Sequence, residues 1–168
     1  MGMQQSSSHY LYLMRPGTVA RHGIKYDFKA PLSRRGVREV LHQVKQFRAV
    51  GGIRPDCIFC STATRSRQTA ELLLNLFVGT PILFRDTLYL APSFRILGVL
   101  KETDEIFRRL MVIGHHPGLE QMTAVLTTPE HRRPFAPGEC VSIALNTVAW
   151  SALKQGDGRI QKIFPISF

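Results

Sequence analysis

Three short segments of this sequence carry the kinds of side chain that bind phosphate. They span positions 14–17, 61–70 and 114–118, and they contain Arg15, Arg65 and His115 in that order. Guanidinium groups, imidazole N–H groups and the free amides of a helix N-terminus are common donors to phosphoryl oxygens in proteins. If the fold brings the three segments together, these residues predict a site for a phosphate group.

The elements around the three segments predict that they do meet. Continuous apolar runs at 10–14, 57–60 and 110–113 are typical of parallel strands buried on both faces, and each run ends just before one of the segments. Amphipathic stretches follow, one of which begins after Ser33 as its N-cap and stops at Gly51. A layered α/β domain is therefore expected, and such domains bind ligands beyond the carboxyl ends of their strands.

The C-terminal part of the sequence predicts further strands. Runs at 141–145, 148–153 and 159–166 indicate three of them, with a turn at 155–158 joining the last two. The expected sheet is mostly parallel, and its C-terminal edge is antiparallel.

Arg65 falls in the first turn of a predicted helix that covers about 63–77. The helix dipole disfavours a cation at this end and favours an anion, so a negatively charged group is expected beside the arginine. That group is either a bound phosphate or a carboxylate, such as that of Glu71 or another surface residue. The convergence of three basic segments at one edge of the sheet favours phosphate.

The order and spacing of the motifs resemble the histidine phosphatase (phosphoglycerate mutase-like) superfamily, and most closely its small SixA-like phosphohistidine phosphatases. Arg15 and Gly17 fall on two positions of the Arg-His-Gly motif of that superfamily. The segment at 61–70 matches its second motif, and Gly-His-His-Pro-Gly at 114–118 matches its Gly-His-Asn-Pro-Gly motif except for the second histidine. The resemblance covers nearly the whole chain and implies a three-layer α/β/α sandwich.

The resemblance also implies roles for individual residues. Arg15, Arg65 and His115 would bind the phosphoryl oxygens, and Gly17 and Ser61 would complete the phosphate-binding set. The implied partner is phosphate, a phosphorylated small molecule or a phosphohistidine protein. No cofactor and no metal ion are expected.

Pro16 stands where the superfamily has the histidine that attacks phosphorus and forms a phosphohistidine intermediate. Proline has no titratable atom and no amide hydrogen, so it cannot serve as that nucleophile. The sequence therefore predicts a pseudophosphatase, in which the fold and the phosphate pocket persist with little or no turnover.

Two alternatives remain open. The chain is an active phosphohistidine or phosphomonoester phosphatase if the second Arg-His-Gly segment, at 21–23, brings His22 into the pocket, or if His115, His116 or a bound water attacks phosphorus. It is a basic nucleic-acid-binding module if its positive charge binds the phosphates of DNA or RNA. The basic residues are dispersed and lack interleaved aromatic residues, which argues against nucleic acid.

Length and composition limit the number of domains, the location and the partners that we expect for this chain. With 168 residues, 44% of them apolar, the chain suits one globular domain at 10–168 after a flexible polar leader at 1–9. No apolar run approaches the roughly 20 residues of a membrane helix, so we expect a cytoplasmic protein that does not contact the membrane. The formal charge of +10 favours acidic partners. Nothing in the sequence indicates the oligomeric state.

Cys57 and Cys60 form a CxxC pair, a pattern that elsewhere indicates redox chemistry or a zinc site. On a strand, however, residues three apart point to opposite faces, so these two thiols are not expected to share a metal ion or a disulfide. Cys140 is expected to be a small buried hydrophobe. His9 is expected to be solvated.

Overall fold

Strands and helices alternate along the chain. In a computed structural model, which describes residues 9–21, 23 and 25–167, the strands are β1 (His9–Met14), β2 (Cys57–Ser61), β3 (Ile82–Arg85), β4 (Arg109–Ile113), β5 (Cys140–Leu145) and β6 (Gly158–Phe164). The α-helices are α1 (Arg34–Val50), α2 (Thr64–Leu74), α3 (Ser93–Lys101) and α4 (Gly118–Leu126). Short 3-10 helices cover Asp27–Lys29, Asp86–Leu88, Pro129–His131 and Trp150–Ala152.

The six strands form one sheet in the order β3-β2-β4-β1-β5-β6. The first four are mutually parallel, and β5 and β6 are antiparallel to their neighbours. In the register of the sheet, Ile113 of β4 pairs with Met14 of β1 on one side and with Cys60 of β2 on the other. The carboxyl ends of these three strands are therefore level and adjacent, as the sequence predicted.

Each face of the sheet carries its own hydrophobic core, which makes the domain a three-layer α/β/α sandwich as predicted. Along β1, Leu11 and Leu13 pack into one core, whereas Tyr12 and Met14 pack into the other. Both faces of the parallel strands are covered by helices, which explains why their sequences are continuously apolar rather than alternating.

The two faces also separate the cysteines of the CxxC pair. Cys57 packs into one core and Cys60 into the other, and both side chains are fully buried free thiols. Burial raises the pKa of Cys57 to about 11 and that of Cys60 to about 12. The prediction that the pair lies on opposite faces is confirmed.

Helix α1 begins and ends where the sequence predicted. The hydroxyl of Ser33 accepts a hydrogen bond from the backbone N–H of Gly36 (3.0 Å), which satisfies one of the free amides of the first turn. Val40 and Phe47 are buried on its inner face. The helix ends at Gly51, whose positive φ of 65° suits a residue without a Cβ.

The strand predicted at 148–153 is wrong. The segment contains the 3-10 helix Trp150–Ala152, and β6 pairs directly with β5. The cause is the Trp150 side chain, which is fully buried and donates from Nε1 to the carbonyl of Phe107 (2.6 Å). Its backbone N–H donates to Glu105 Oε1 (2.5 Å), so these tertiary contacts override the strand pattern around Val148.

The start of β1 also differs from the prediction. His9, predicted to be solvated in the polar leader, is the first residue of the strand and is fully buried. Its ring packs edge-on against Trp150 at 5.0 Å, and its Nε2 lies 3.0 Å from Glu105 Oε2. The rest of the predicted leader, at 1–8, lies outside the described residues. Within the described part of the chain, no helix combines the length and apolar character required to cross a membrane.

Candidate functional site

A cavity of about 410 Å³ opens at the carboxyl ends of β1, β2 and β4. It brings together five residues that the sequence placed at the site: Arg15, Pro16, Gly17, Arg65 and His115. The other lining residues come from the loops after β1 and β3, from the end of β4 and from the turn before β5: Thr18, Val19, Arg21, Asp27, Tyr89, Leu90, His116 and Pro137.

The loop that carries Arg15 and Pro16 is held through its backbone. The N–H of Arg15 donates to the carbonyl of Glu139 (2.9 Å), and the N–H of Gly138 is shared between the carbonyls of Arg15 (3.1 Å) and Pro16 (3.0 Å). Gly138 has a positive φ of 81°, which the turn before β5 requires. Since proline keeps its carbonyl, the residue type at position 16 does not disturb these bonds.

The same loop packs tightly against the start of α1. An added Cβ at Gly17 would lie 2.5 Å from the carbonyl oxygen of Gly36, and one at Gly36 would overlap the carbonyl of Thr18. Both glycines are therefore required for a close approach of two backbones. This contact sets the distance between α1 and the floor of the cavity.

Replacing Gly17 with alanine should lower the free energy of unfolding by about 1–3 kcal/mol, because only backbone movement can relieve the overlap with Gly36. Gly98→Ala is the matched control. Gly98 lies within α3 with open space where a Cβ would stand, so its replacement should stabilise the protein by about 0.5–1 kcal/mol. Urea unfolding of both variants measures the difference, and equal effects would refute the close-approach argument.

His115 makes two hydrogen bonds that define its tautomer. Its Nδ1 lies 3.2 Å from Arg65 Nη2, and its Nε2 lies 2.7 Å from Ser61 Oγ. Arginine can only donate, so Nδ1 is the acceptor, and the ring proton resides on Nε2 and is donated to Ser61. Both ring nitrogens are thus engaged within the protein.

His115 is also uncharged at neutral pH. Burial lowers its pKa to about 3, and the positive charge of Arg65 acts in the same direction. The ring therefore adds no charge to the cavity. The positive charge of the lining comes from Arg15, Arg21 and Arg65.

Ser61 occupies a different place from the one predicted for a phosphate ligand. It is the last residue of β2, is fully buried, and contacts His115 from below the cavity. Its hydroxyl orients the imidazole and does not reach the open space. The sequence motif located Ser61 beside the site but carried no information about its depth.

Arg65 does have an anion beside it, as its position in the first turn of α2 predicted. The anion in this structure is Asp27, whose carboxylate Oδ2 lies 2.9 Å from Arg65 Nη2 and whose backbone carbonyl accepts from Nη1 at 2.8 Å. Glu71, which the sequence offered as one partner, is not part of this ion pair. The helix-dipole argument predicted a negative partner for Arg65 but did not identify it.

Mutual electrostatic effects show that the charged groups share one site. Burial lowers the pKa of Arg15; Glu120 opposes this shift, and Arg65 adds to it. Burial alone would raise the pKa of Asp27, but hydrogen bonds from Arg65 and Tyr89, together with the charge of Arg65, hold it below its usual value. The carboxylate of Asp27 is therefore ionised at neutral pH.

The remaining candidate histidines and acidic residues that the structure describes do not all lie at the cavity. His116 lines the cavity with an exposed side chain. His22 lies outside the described residues, although Arg21 before it lines the cavity. Glu105, one of the acidic residues that follow α3, contacts His9 at the opposite end of β1. Among the residues that the structure describes, no group of three or more His, Cys, Asp and Glu side chains is arranged to hold a metal ion.

Solved structures share this architecture. A protein described as a candidate phosphohistidine phosphatase SixA, from Nakamurella multipartitia, matches with a TM-score of 0.81 and 24% identity over 95% of this chain and 97% of its own. A similarly described SixA from Agrobacterium tumefaciens gives a TM-score of 0.80 and 22% identity, covering 94% of this chain and 98% of its own. The chain has the histidine phosphatase fold.

One further structure with the histidine phosphatase fold is that of the protein histidine phosphatase SixA complexed with tungstate. It matches with a TM-score of 0.74 and 19% identity, over 93% of this chain and 96% of its own.

Among curated sequences, an uncharacterized protein of Mycobacterium tuberculosis, known from strains H37Rv and CDC 1551, is 30% identical over 107 residues. That match spans 61% of this chain and 62% of the mycobacterial protein. No protein family model matches the chain.

Proposed function

We propose that this protein binds a phosphorylated ligand in the cavity and turns it over slowly or not at all, as a pseudophosphatase with the histidine phosphatase fold. The observation that carries the proposal is the position of Pro16. It lines the cavity between Gly17 and the half-buried Arg15, and it shares the cavity with Arg65 and His115. Arg15 and Arg65, which suit phosphoryl oxygens, line the cavity, whereas the predicted donor His115 uses both ring nitrogens within the protein. Where the resemblance places the nucleophile stands a proline, which cannot attack phosphorus.

The remaining histidines of the described site do not readily replace the nucleophile. A nucleophilic imidazole needs a free lone pair directed at phosphorus. In His115 the lone pair of Nδ1 accepts from Arg65, and Nε2 carries the proton donated to Ser61. His116 is exposed to solvent at the rim of the cavity.

A turnover assay tests the absence of catalysis. The wild-type protein is incubated with a phosphohistidine peptide and with an aryl phosphate, beside a His22→Ala variant. The proposal predicts that both proteins hydrolyse these compounds at a rate near the background. Rapid wild-type hydrolysis that His22→Ala abolishes would instead establish an active phosphatase with a displaced nucleophile.

A thermal shift assay tests phosphate binding. Inorganic phosphate at ten times its Kd should stabilise the wild-type protein by about 1.4 kcal/mol, which corresponds to a rise in Tm of roughly 3–6 °C. Arg65→Ala should remove the shift because Arg65 is a main source of positive charge in the cavity. Arg67→Ala is the matched control, since Arg67 lies on the same helix but stacks on Phe84 outside the cavity.

The two variants separate specific binding from a general salt effect. Chloride at the same ionic strength should leave Tm unchanged, and Arg67→Ala should retain the phosphate shift. A wild-type protein that phosphate does not stabilise, or an equal loss of the shift in both arginine variants, would contradict a phosphate site at Arg65.

A further inference from the structure

Asp27 gives the proposed phosphate site a negative charge that belongs to the protein itself, because its carboxylate pairs with Arg65. Its side chain is 56% exposed, whereas that of Arg65 is 10% exposed, so the carboxylate reaches from the surface to a nearly buried guanidinium. Both terminal nitrogens of Arg65 donate to this one residue, Nη1 to its carbonyl at 2.8 Å and Nη2 to its carboxylate at 2.9 Å. The hydrogen-bonding edge of Arg65 is thus already occupied.

Further contacts keep the carboxylate in this position. The hydroxyl of Tyr89 donates to the same oxygen, Oδ2, at 3.1 Å. The ring of Tyr89 packs edge-on against Phe28 on one side and against His115 on the other, at 5.0 and 5.4 Å between ring centroids. The 3-10 helix Asp27–Lys29 is in this way connected to the floor of the cavity.

The segment that carries Asp27 is anchored at its two ends. The backbone of Val19 bridges to that of Leu32, and the N–H of Ala20 donates to the carbonyl of Pro31 (2.9 Å). The N–H of Leu32 donates to Gln68 Oε1 on α2 (2.7 Å), the helix that also carries Arg65. The base of the loop is therefore held to α2 by contacts that do not involve Asp27.

Two anions compete for one guanidinium in this arrangement. A phosphoryl group bound by Arg15 and Arg65 would lie beside the ionised carboxylate of Asp27, and like charges at such short range repel. The phosphoryl group can take the donors of Arg65 only if the carboxylate gives them up. Release of Asp27 would therefore be part of ligand binding.

Resting on the proposed function, we infer that Asp27 is a specificity-determining residue that competes with the phosphoryl group for Arg65. It weakens the binding of free inorganic phosphate and reserves the cavity for ligands whose other contacts offset the loss of the Asp27–Arg65 pair. The competing contact is made by the 3-10 helix Asp27–Lys29, so the affinity of the cavity depends on whether the Asp27 carboxylate is paired with Arg65 or released.

Calorimetric titration with inorganic phosphate tests the inference on the full chain. Asp27→Asn should bind phosphate roughly tenfold more tightly than the wild-type protein, because it removes both the ion pair and the like-charge repulsion. Asp104→Asn is the matched control: it removes the same charge from an exposed site outside the cavity and should change the affinity less than about twofold. The double variant Asp27→Asn/Arg65→Ala should lose the gain.

Hydrogen exchange of the wild-type protein provides a second readout. The amides of Lys29 and Ala30 donate to the carbonyls of Tyr26 and Asp27. Phosphate should speed their exchange, because the 3-10 helix loses its contacts with Arg65 and Tyr89 when the Asp27 carboxylate is released, and unchanged exchange would count against that release. Slower exchange with phosphate would overturn the inference.

The outcomes distinguish this inference from the proposed function. If the wild-type protein binds phosphate through Arg65 and Asp27→Asn binds it equally well, competition by Asp27 is overturned and the phosphate site stands. If Asp27→Asn binds phosphate and the wild-type protein does not, competition by Asp27 is supported, and the proposed binding of free phosphate by the wild-type protein is contradicted. If neither binds, both the site and the competition are overturned.

Discussion

The Pro16→His variant is expected to hydrolyse an aryl phosphate or a phosphohistidine peptide on the order of 10³-fold faster than the wild-type protein, because loss of a nucleophile from a cooperating site removes most of its rate enhancement. The new imidazole would enter the cavity beside Arg15 and Arg65, which can stabilise the charge of the transferred phosphoryl group. An acid-labile phosphoenzyme, trapped by rapid quenching and detected by phosphorus NMR, would identify the new histidine as the attacking group.

Three companion variants make this experiment decisive. Pro16→Ala should remain inactive, since it removes the ring without adding a nucleophile. Pro16→His/Arg65→Ala should lose the acquired activity, and Pro16→His/His22→Ala should keep it. A folded, phosphate-binding Pro16→His variant without turnover would contradict the expectation that the cavity lacks only a nucleophile.

The second large effect is expected in stability. Trp150→Ala should lower the free energy of unfolding by about 3–5 kcal/mol, because it opens a cavity in the core and removes the hydrogen bond to the carbonyl of Phe107. His9 at the start of β1 also loses its ring contact. Urea unfolding followed by far-ultraviolet circular dichroism measures the change, since Trp150 is the single tryptophan of the chain and its fluorescence disappears with it.

Val148→Ala is the control for this measurement. Val148 lies two residues away in the same segment and is 86% exposed, so its truncation should change stability by less than about 0.5 kcal/mol. Trp150→Phe should fall between the two, because it fills most of the volume but leaves the carbonyl of Phe107 without its donor. Similar values for Trp150→Ala and Val148→Ala would contradict the contribution of the buried Trp150 side chain to stability.

Much of the architecture was predictable because parallel strands that are buried on both faces have recognisable, continuously apolar sequences. The strands β1, β2 and β4 are covered on both faces, and their sequences are continuously apolar. Capping chemistry located the start of α1 at Ser33, and the clustering of strand ends placed Arg15 and His115 at one edge of the sheet. These features depend on contacts close in sequence or on a general rule of α/β topology.

Features that depend on particular long-range contacts were not predictable. Val148 to Leu153 has a strand-like composition, and only the environment of Trp150, provided by residues about forty positions earlier, makes it a 3-10 helix. Asp27 lies in the long connection between β1 and α1, outside the motifs that the sequence offered, and its partner Arg65 is 38 positions away. The charge of Arg65 required an anion, but no pattern in the sequence indicated which of the acidic residues would supply it.

The shared N–H of Gly138 has a consequence for position 16. The loop holds this residue by its carbonyl, a group that every amino acid has, and the close approach to α1 is made by Gly17 instead. The hydrogen bond that holds this residue therefore places no requirement on its side chain. If Pro16→His gains turnover as expected, a single substitution at this position would separate catalysis from binding without rebuilding the loop.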